Sequence, residues 1–184
     1  MNPHFLFNTL NSIIELGYTN HKKLEMIVTK LSNIFRKTLA IPDNTLISLE
    51  TELGLVADYL EIESMRLGSR LQHSIEVDPE LLAFPVIPLT IETLVENAII
   101  HGIAPKDNGG TITIRITKND SIVSIAICDD GIGIDDKPRK TGFGTGSIST
   151  RLRYYYGENA RFSLKVRAGG GTCAIMEVPY EYAT

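Results

Sequence analysis

The chain has 184 residues, 43% of them hydrophobic and 22% charged, and a formal net charge of −4. That composition is ordinary for a folded globular chain, its charge gives no electrostatic case for nucleic acid as a partner, and its length suits one large domain or two small ones. No apolar run approaches the roughly 20 residues that a membrane-spanning helix needs. Cys128 and Cys173 are the only cysteines. They sit in apolar, strand-like runs and read as buried, reduced thiols rather than a disulfide, which fits a cytoplasmic compartment.

Residues 5 to about 18 have a helical pattern. At 100° per residue, Asn8, Asn11 and Glu15 fall within about 40° of His4. Leu6, Phe7, Leu10, Ile13 and Ile14 fill the opposite side, and Phe5 and Leu16 add a second apolar edge. The helix is therefore apolar around most of its circumference, with one polar stripe headed by His4. Pro3 suits the first turn. His4 itself falls where helix N–H groups lack partners, so this turn is expected to fray. A helix with only three residues before His4 implies a fragment of a longer protein.

After a weak break at Gly17 to His21, Leu24, Ile27, Val28, Leu31, Ile34, Phe35 and Leu39 recur at three and four. They define a second amphipathic helix, ended by Pro42-Asp43-Asn44. Ser48-Leu49-Glu50-Thr51-Glu52 opens a third helix with a capping box that is off by one residue. Leu49, Leu53, Val56, Tyr59, Leu60, Ile62 and Met65 carry it towards Gly68. These apolar faces are too broad for a monomer core, and pairing of two chains would cover them.

Beyond Gly68 the period changes. Leu71 to Val77 alternates as a strand does, Asp78-Pro79 turns, and Pro85 and Pro88 bracket an extended piece. A helix then runs through Leu94-Val95-Glu96-Asn97-Ala98-Ile99-Ile100-His101 and is expected to stop at Gly102. Ile91, Leu94, Val95 and Ala98 share its apolar side; Asn97 and His101 point together off it, with Thr93 one turn earlier. An Asn amide on a half-buried face suits a magnesium ion and nucleotide phosphates. Lys106 to Gly110 is a polar loop. Thr111–Thr117 and Ile122–Cys128 form a hairpin about Lys118-Asn119-Asp120-Ser121. Gly131 to Gly146 is rich in glycine and charge and reads as mobile. Ser147 to Tyr156 is a short helix stopped by Gly157. Ala160–Arg167 and Thr172–Pro179 are two last strands around Gly169-Gly170-Gly171.

Three stretches carry a resemblance. They are the Asn97 helix, Asp129-Asp130-Gly131-Ile132-Gly133-Ile134, and Lys140-Thr141-Gly142-Phe143-Gly144-Thr145-Gly146-Ser147. In this order they resemble the N, G1 and G2 boxes of the ATP-binding fold shared by gyrase, Hsp90, MutL and the histidine kinases. Asn2-Pro3-His4-Phe5-Leu6-Phe7-Asn8 adds the phosphoacceptor box of the LytS-like sensor histidine kinases. Four motifs in order make the likeness specific, where one glycine motif would be weak.

The resemblance implies an α+β chain: a dimerising helical region over 1–67, then a GHKL (Bergerat) α/β sandwich with a mixed, mostly antiparallel sheet over 68–184. It implies ATP and Mg²⁺ as cofactors, autophosphorylation on His4, and transfer of the phosphoryl group to a response-regulator aspartate. It also implies a homodimer, an N-terminal sensor region outside this sequence, and a cytoplasmic position in a membrane-anchored protein. Nucleic acid is not an expected partner. Two other functions share the motifs: a GHKL-type ATP hydrolase, and a catalytically silent dimerisation and docking module.

The residues bear on that choice. A carboxylate at a strand end, Asp129, can accept from adenine's exocyclic amine. Gly131 and Gly133 let the backbone approach the base and turn sharply. Gly142, Gly144 and Gly146 can offer N–H groups to phosphates ahead of a helix N-terminus, and Lys140 and Thr141 stand beside them. The family usually has Leu at Thr145 and Asn at Ser147; Arg151-Leu152 matches its R-L pair. Asn97 would hold Mg²⁺, with His101 beside the nucleotide. Phe5 follows His4 where better-known kinases carry an acidic residue, so a base must come from elsewhere, and Glu96 is the candidate. Hydrolytic cousins place a water-activating Glu one turn before the Asn. Thr93 stands there with Glu92 rotated away, which favours transfer to His4 over water attack.

Overall fold

A computed structural model of the chain describes residues 3–42, 44–133 and 145–181. Two long helices lead, α1 (Pro3–Thr19) and α2 (His21–Leu39), joined at Asn20, whose side chain accepts the Lys23 N–H as an N-cap does. A short strand β1 (Ile47–Ser48) precedes α3 (Leu49–Leu67), and β1 pairs with β3 (Pro85–Val86). The remaining elements are β2 (Leu71–Val77), α4 (Thr90–Asn97), β4 (Gly110–Asn119), β5 (Ile122–Asp129), α5 (Thr145–Tyr156), β6 (Arg161–Val166) and β7 (Thr172–Pro179).

Five strands form one sheet in the order β2-β4-β5-β7-β6. β2 runs parallel to β4 and every other pair is antiparallel. Ile112, Ile114, Ile116, Ile125, Ile127, Met176 and Val178 point to one face and are buried. There Ile125, Met176 and Val178 meet Ile87 and Ile91 of the α4 end and Leu152 and Tyr156 of α5. The period of two predicts this face, and helices cover it as a two-layer α/β sandwich.

The third helix reaches both halves of the chain. Asp58 on α3 holds Lys30 (3.0 Å) and Lys37 (2.8 Å) from α2. Burial works against the Asp58 carboxylate, but these two lysines outweigh it and hold its pKa below the usual range. Ser48 caps α3 as predicted, accepting the Thr51 N–H. Glu52 does not complete that cap. Its carboxylate turns inward and accepts the Leu89 N–H (2.8 Å) and the Ile91 N–H (2.9 Å) at the start of α4. The off-by-one box has a physical reason: Glu52 caps a helix 38 residues further along the chain.

Helix α1 begins at Pro3 and its first turn is pinned, where the sequence implies fraying. Phe5 is 2% exposed and packs on Tyr59 of α3 with ring centroids 4.7 Å apart. Phe7, Leu10 and Ile14 are 64%, 46% and 63% exposed on the outer side, and Phe35 and Leu39 of α2 are exposed as well. Phe5→Ala should cost about 3 kcal/mol at this junction. Faster hydrogen exchange in the first turns of α1, with the sheet amides unchanged, is the expected result; equal exchange in both proteins would place the anchor elsewhere.

The expectation for the cysteines is corrected. Cys128 and Cys173 face each other across β5 and β7, with Cα atoms 4.0 Å apart, and form a disulfide. Both are half-buried rather than buried. Alternation in each strand was legible, but their being direct partners depends on β5 lying beside β7 in this register.

Candidate functional site: a nucleotide cleft

Helix α4 does not end at Gly102. After Asn97 the chain widens into a π-helical turn over Ala98–Ile103, a local defect common at functional sites. Gly102 is needed there for space: a Cβ on it would lie 2.6 Å from Oδ1 of Asp129. Gly131 is tighter, since its Cβ would sit 2.3 Å from the Gly102 carbonyl carbon. Ile132 N–H donates to the Gly102 carbonyl at 3.1 Å and seals this contact. The Asn97 helix and the Asp129-Asp130-Gly131 stretch thus meet backbone to backbone.

Asp129 closes the end of β5 and is 3% exposed. Its Oδ1 accepts the Gly131 N–H at 2.9 Å, and the carboxylate also takes the Thr172 N–H. Burial raises its pKa despite these two donors, with Asp130 adding to the rise. Arg167 Nη1 donates to the Asp129 carbonyl at 2.9 Å. Asp130 accepts the Thr111 N–H on its side chain (2.7 Å) and the Lys106 ammonium on its carbonyl (2.5 Å). Gly133 turns away with φ +78° beside Gly171. Asp129 keeps lone pairs for an exocyclic amine, in a cradle that side chains at Gly102, Gly131 and Gly171 would fill.

Asn97 is the last residue of α4 and half-buried, at the same helix end as this cradle. His101, within the π turn, is exposed. No cluster of three or more His, Cys, Asp or Glu suited to a metal occurs among the described residues. A single amide oxygen from Asn97 nevertheless fits magnesium, which takes few protein ligands beside phosphates and water.

Glu96 is not a surface residue. It is buried, and it adds, with Glu63 and Glu92, to the rise that burial chiefly imposes on the pKa of the Tyr59 phenol of α3. Phe5, in the turn that carries His4, packs on the same Tyr59. Glu92 is 2% exposed and neither of its oxygens has a hydrogen-bond partner among the described residues. Burial, with Glu96 and Glu52 nearby, pushes its pKa up to about 7.

Arg151 reaches the start of α4. Its guanidinium donates to the Pro88 carbonyl at 3.1 Å and stabilises the Glu52 carboxylate. Together they hold Leu89 in a left-handed conformation (φ 59°) at the start of α4. Gly146 falls in the first turn of α5. Lys140, Thr141, Gly142 and Gly144 lie outside the described residues. Sequence reasoning missed Glu52, Lys106 and Thr172. Only the imperfect capping box at Glu52 hinted at one of them.

Residues 1–71 match the family model described as histidine kinase, and residues 87–182 match that of the histidine kinase-, DNA gyrase B- and HSP90-like ATPases. Over 137 residues the chain is 40% identical to the sensor protein LytS of Oceanobacillus iheyensis, covering 74% of this chain and 23% of that protein. Against the LytS of Bacillus subtilis it is 29% identical over 98% of this chain and 32% of that protein. The chain therefore spans a quarter to a third of these relatives. Among solved structures it resembles the histidine kinase domain of the Erythrobacter litoralis EL346 blue-light activated kinase, at 19% identity and a TM-score of 0.57, over 85% of this chain and 74% of that one. It also resembles the histidine kinase ThkA, solved in complex with the response regulator protein TrrA, at 17% identity and a TM-score of 0.56, over 96% and 58% of the two chains.

Proposed function

This chain belongs to the histidine kinases, with the ATPase domain that they share with DNA gyrase B and HSP90, and on that premise we propose that it is the catalytic core of a sensor histidine kinase. The observation that carries this reading is the joining of two elements: a buried acceptor at Asp129 closed in by glycine backbones, and an acceptor-box helix anchored through Phe5 to the same core.

ATP is the substrate. Asp129 accepts from the adenine amine, and the backbones at Gly131 and Gly133 let the base come close. Gly142, Gly144 and Gly146, with Lys140 and Thr141, receive the phosphates; Asn97 supplies an amide oxygen to Mg²⁺, and exposed His101 adjoins the nucleotide. The metal, when bound, neutralises charge on the transferring phosphoryl group. A His4 ring nitrogen attacks the γ-phosphorus; the N–P bond forms, the bond to the β-phosphate oxygen breaks, and ADP leaves. The imidazole proton passes to a base. Glu96 is the candidate, supported by the run from the His4 turn through Phe5 and Tyr59. Arg151, at the start of α4, donates to the Pro88 carbonyl and stabilises the Glu52 carboxylate.

The helical region over 1–67 then serves dimerisation and display of His4, with 68–184 as the ATPase part and α3 bridging them. The exposed Phe7, Leu10 and Ile14 suit a second copy of the chain. The phosphoryl group passes on to a response-regulator aspartate. No described helix is long and apolar enough to cross a membrane, and membrane anchorage belongs to sensor sequence outside this chain, with the core on the cytoplasmic side.

Incubation with γ-labelled ATP tests the reading. The expected product is labelled protein whose label is acid-labile and base-stable, and which His4→Gln lacks. Phosphate release without labelled protein would point to a hydrolase. Failure to bind nucleotide would point to a silent docking module.

A further inference from the structure

The Cys128–Cys173 bond ties together the two strand ends that build the adenine acceptor. Cys128 immediately precedes Asp129, and Cys173 follows Thr172, whose N–H the Asp129 carboxylate accepts. The same strand end carries Gly171, packed so closely that a Cβ on it would lie 2.1 Å from the Asp129 carbonyl. The bond is therefore a cross-link between the carboxylate and one of its two backbone donors.

Its placement leaves it accessible. The helices cover the sheet face that carries Ile125, Met176 and Val178. Alternation puts Cys128 and Cys173 on the other face, where both are half-buried. Across the neighbouring strands, Thr113 stands opposite Cys128 and exposed Lys165 opposite Cys173. A lysine beside a disulfide favours the thiolate that exchange must generate. No residue assigned to phosphoryl transfer needs this bond.

We propose that Cys128 and Cys173 form a redox-modifiable site that sets nucleotide affinity, with a thiol reductant as its reactant. The inference rests on the reading of Asp129 as the adenine acceptor. A reductant thiolate attacks one sulfur; the S–S bond breaks, a mixed disulfide forms and one cysteine leaves as thiolate. A second reductant thiolate then attacks the reductant's sulfur in the mixed disulfide, and the other cysteine leaves as thiolate. Two reductant thiols are oxidised to their disulfide, and Cys128 and Cys173 are reduced to two thiols. The β5–β7 ladder persists, but the Thr172 N–H is then held on Asp129 by backbone pairing alone. ATP meets a less preorganised acceptor and binds more weakly.

The whole chain is compared after oxidation by glutathione disulfide and after reduction by dithiothreitol. Thiol titration in denaturant counts free thiols, and calorimetry with magnesium and a non-hydrolysable ATP analogue gives affinity. Oxidised protein should show no free thiol and bind about three- to tenfold more tightly than reduced protein. The double variant Cys128→Val/Cys173→Ser, which has no thiol left, should bind like the reduced form and ignore both reagents. In the reduced form the Thr172 and Cys173 amides should exchange faster, an effect read without nucleotide. Two free thiols after oxidation, or equal affinity in both forms, would overturn the proposal while leaving the kinase reading intact. If neither form binds nucleotide, the assignment of the cleft fails and the proposal falls with it.

Discussion

Gly131→Ala is expected to abolish measurable ATP binding, a loss of about 100-fold or more, corresponding to about 2.7 kcal/mol. The added Cβ would stand 2.3 Å from both the carbonyl carbon and the carbonyl oxygen of Gly102. Backbone cannot swing aside as a flexible side chain does, so the two segments must part. Parting breaks the Ile132 N–H bond to Gly102 and draws the Gly131 N–H away from Asp129. Overpacking of this kind costs about 1–3 kcal/mol, and here it falls on the groups that shape the acceptor. Gly17→Ala is the matched control. A Cβ on Gly17 meets nothing within 4 Å, and the residue lies inside α1. That exchange should leave ATP affinity unchanged and raise stability by up to about 1 kcal/mol. Calorimetric titration and thermal melts of the two variants check both statements. A Gly131→Ala protein that binds ATP as the parent does would remove this contact from the site.

Glu92→Gln should stabilise the protein by about 2–3 kcal/mol at pH 8 and change it little at pH 5. Burial raises the Glu92 carboxyl from an ordinary 4.5 to about 7. The folded chain therefore binds this proton more tightly than the unfolded chain. Its contribution is fully present below pH 4.5, falls as pH rises to about 7, and stays lost above that. Gln keeps the shape and carries no charge at any pH, so the variant escapes the loss. Glu52 and Asp129, whose pKa values burial also raises, titrate in the same direction; Asp58, whose pKa is lowered by Lys37 and Lys30, titrates in the opposite one. The difference between variant and parent isolates Glu92. Denaturant unfolding at pH 5, 6, 7 and 8 reads it. A constant difference across that range would mean that Glu92 does not titrate there.

The acceptor box, the Asn97 stretch and the Asp129-Asp130-Gly131 turn were legible in the sequence, because each is a short run whose order along the chain already specifies it. Helix and strand periods were legible for the same reason: the pattern of three and four, or of two, is written within ten residues. The burial of Ile91, Leu94 and Val95 followed from their spacing alone. Tertiary structure decided which distant groups meet. Glu52 leaves its own helix to cap α4, Phe5 fixes the His4 turn on Tyr59, and Glu96 lies inside the fold. It also turned Gly102 from a helix stop into the floor under Asp129, and joined Cys128 to Cys173. Each of these depends on a register or a packing distance between segments tens of residues apart. A local period carries no information about that separation, and close packing fixes it only once sheet and helices are assembled.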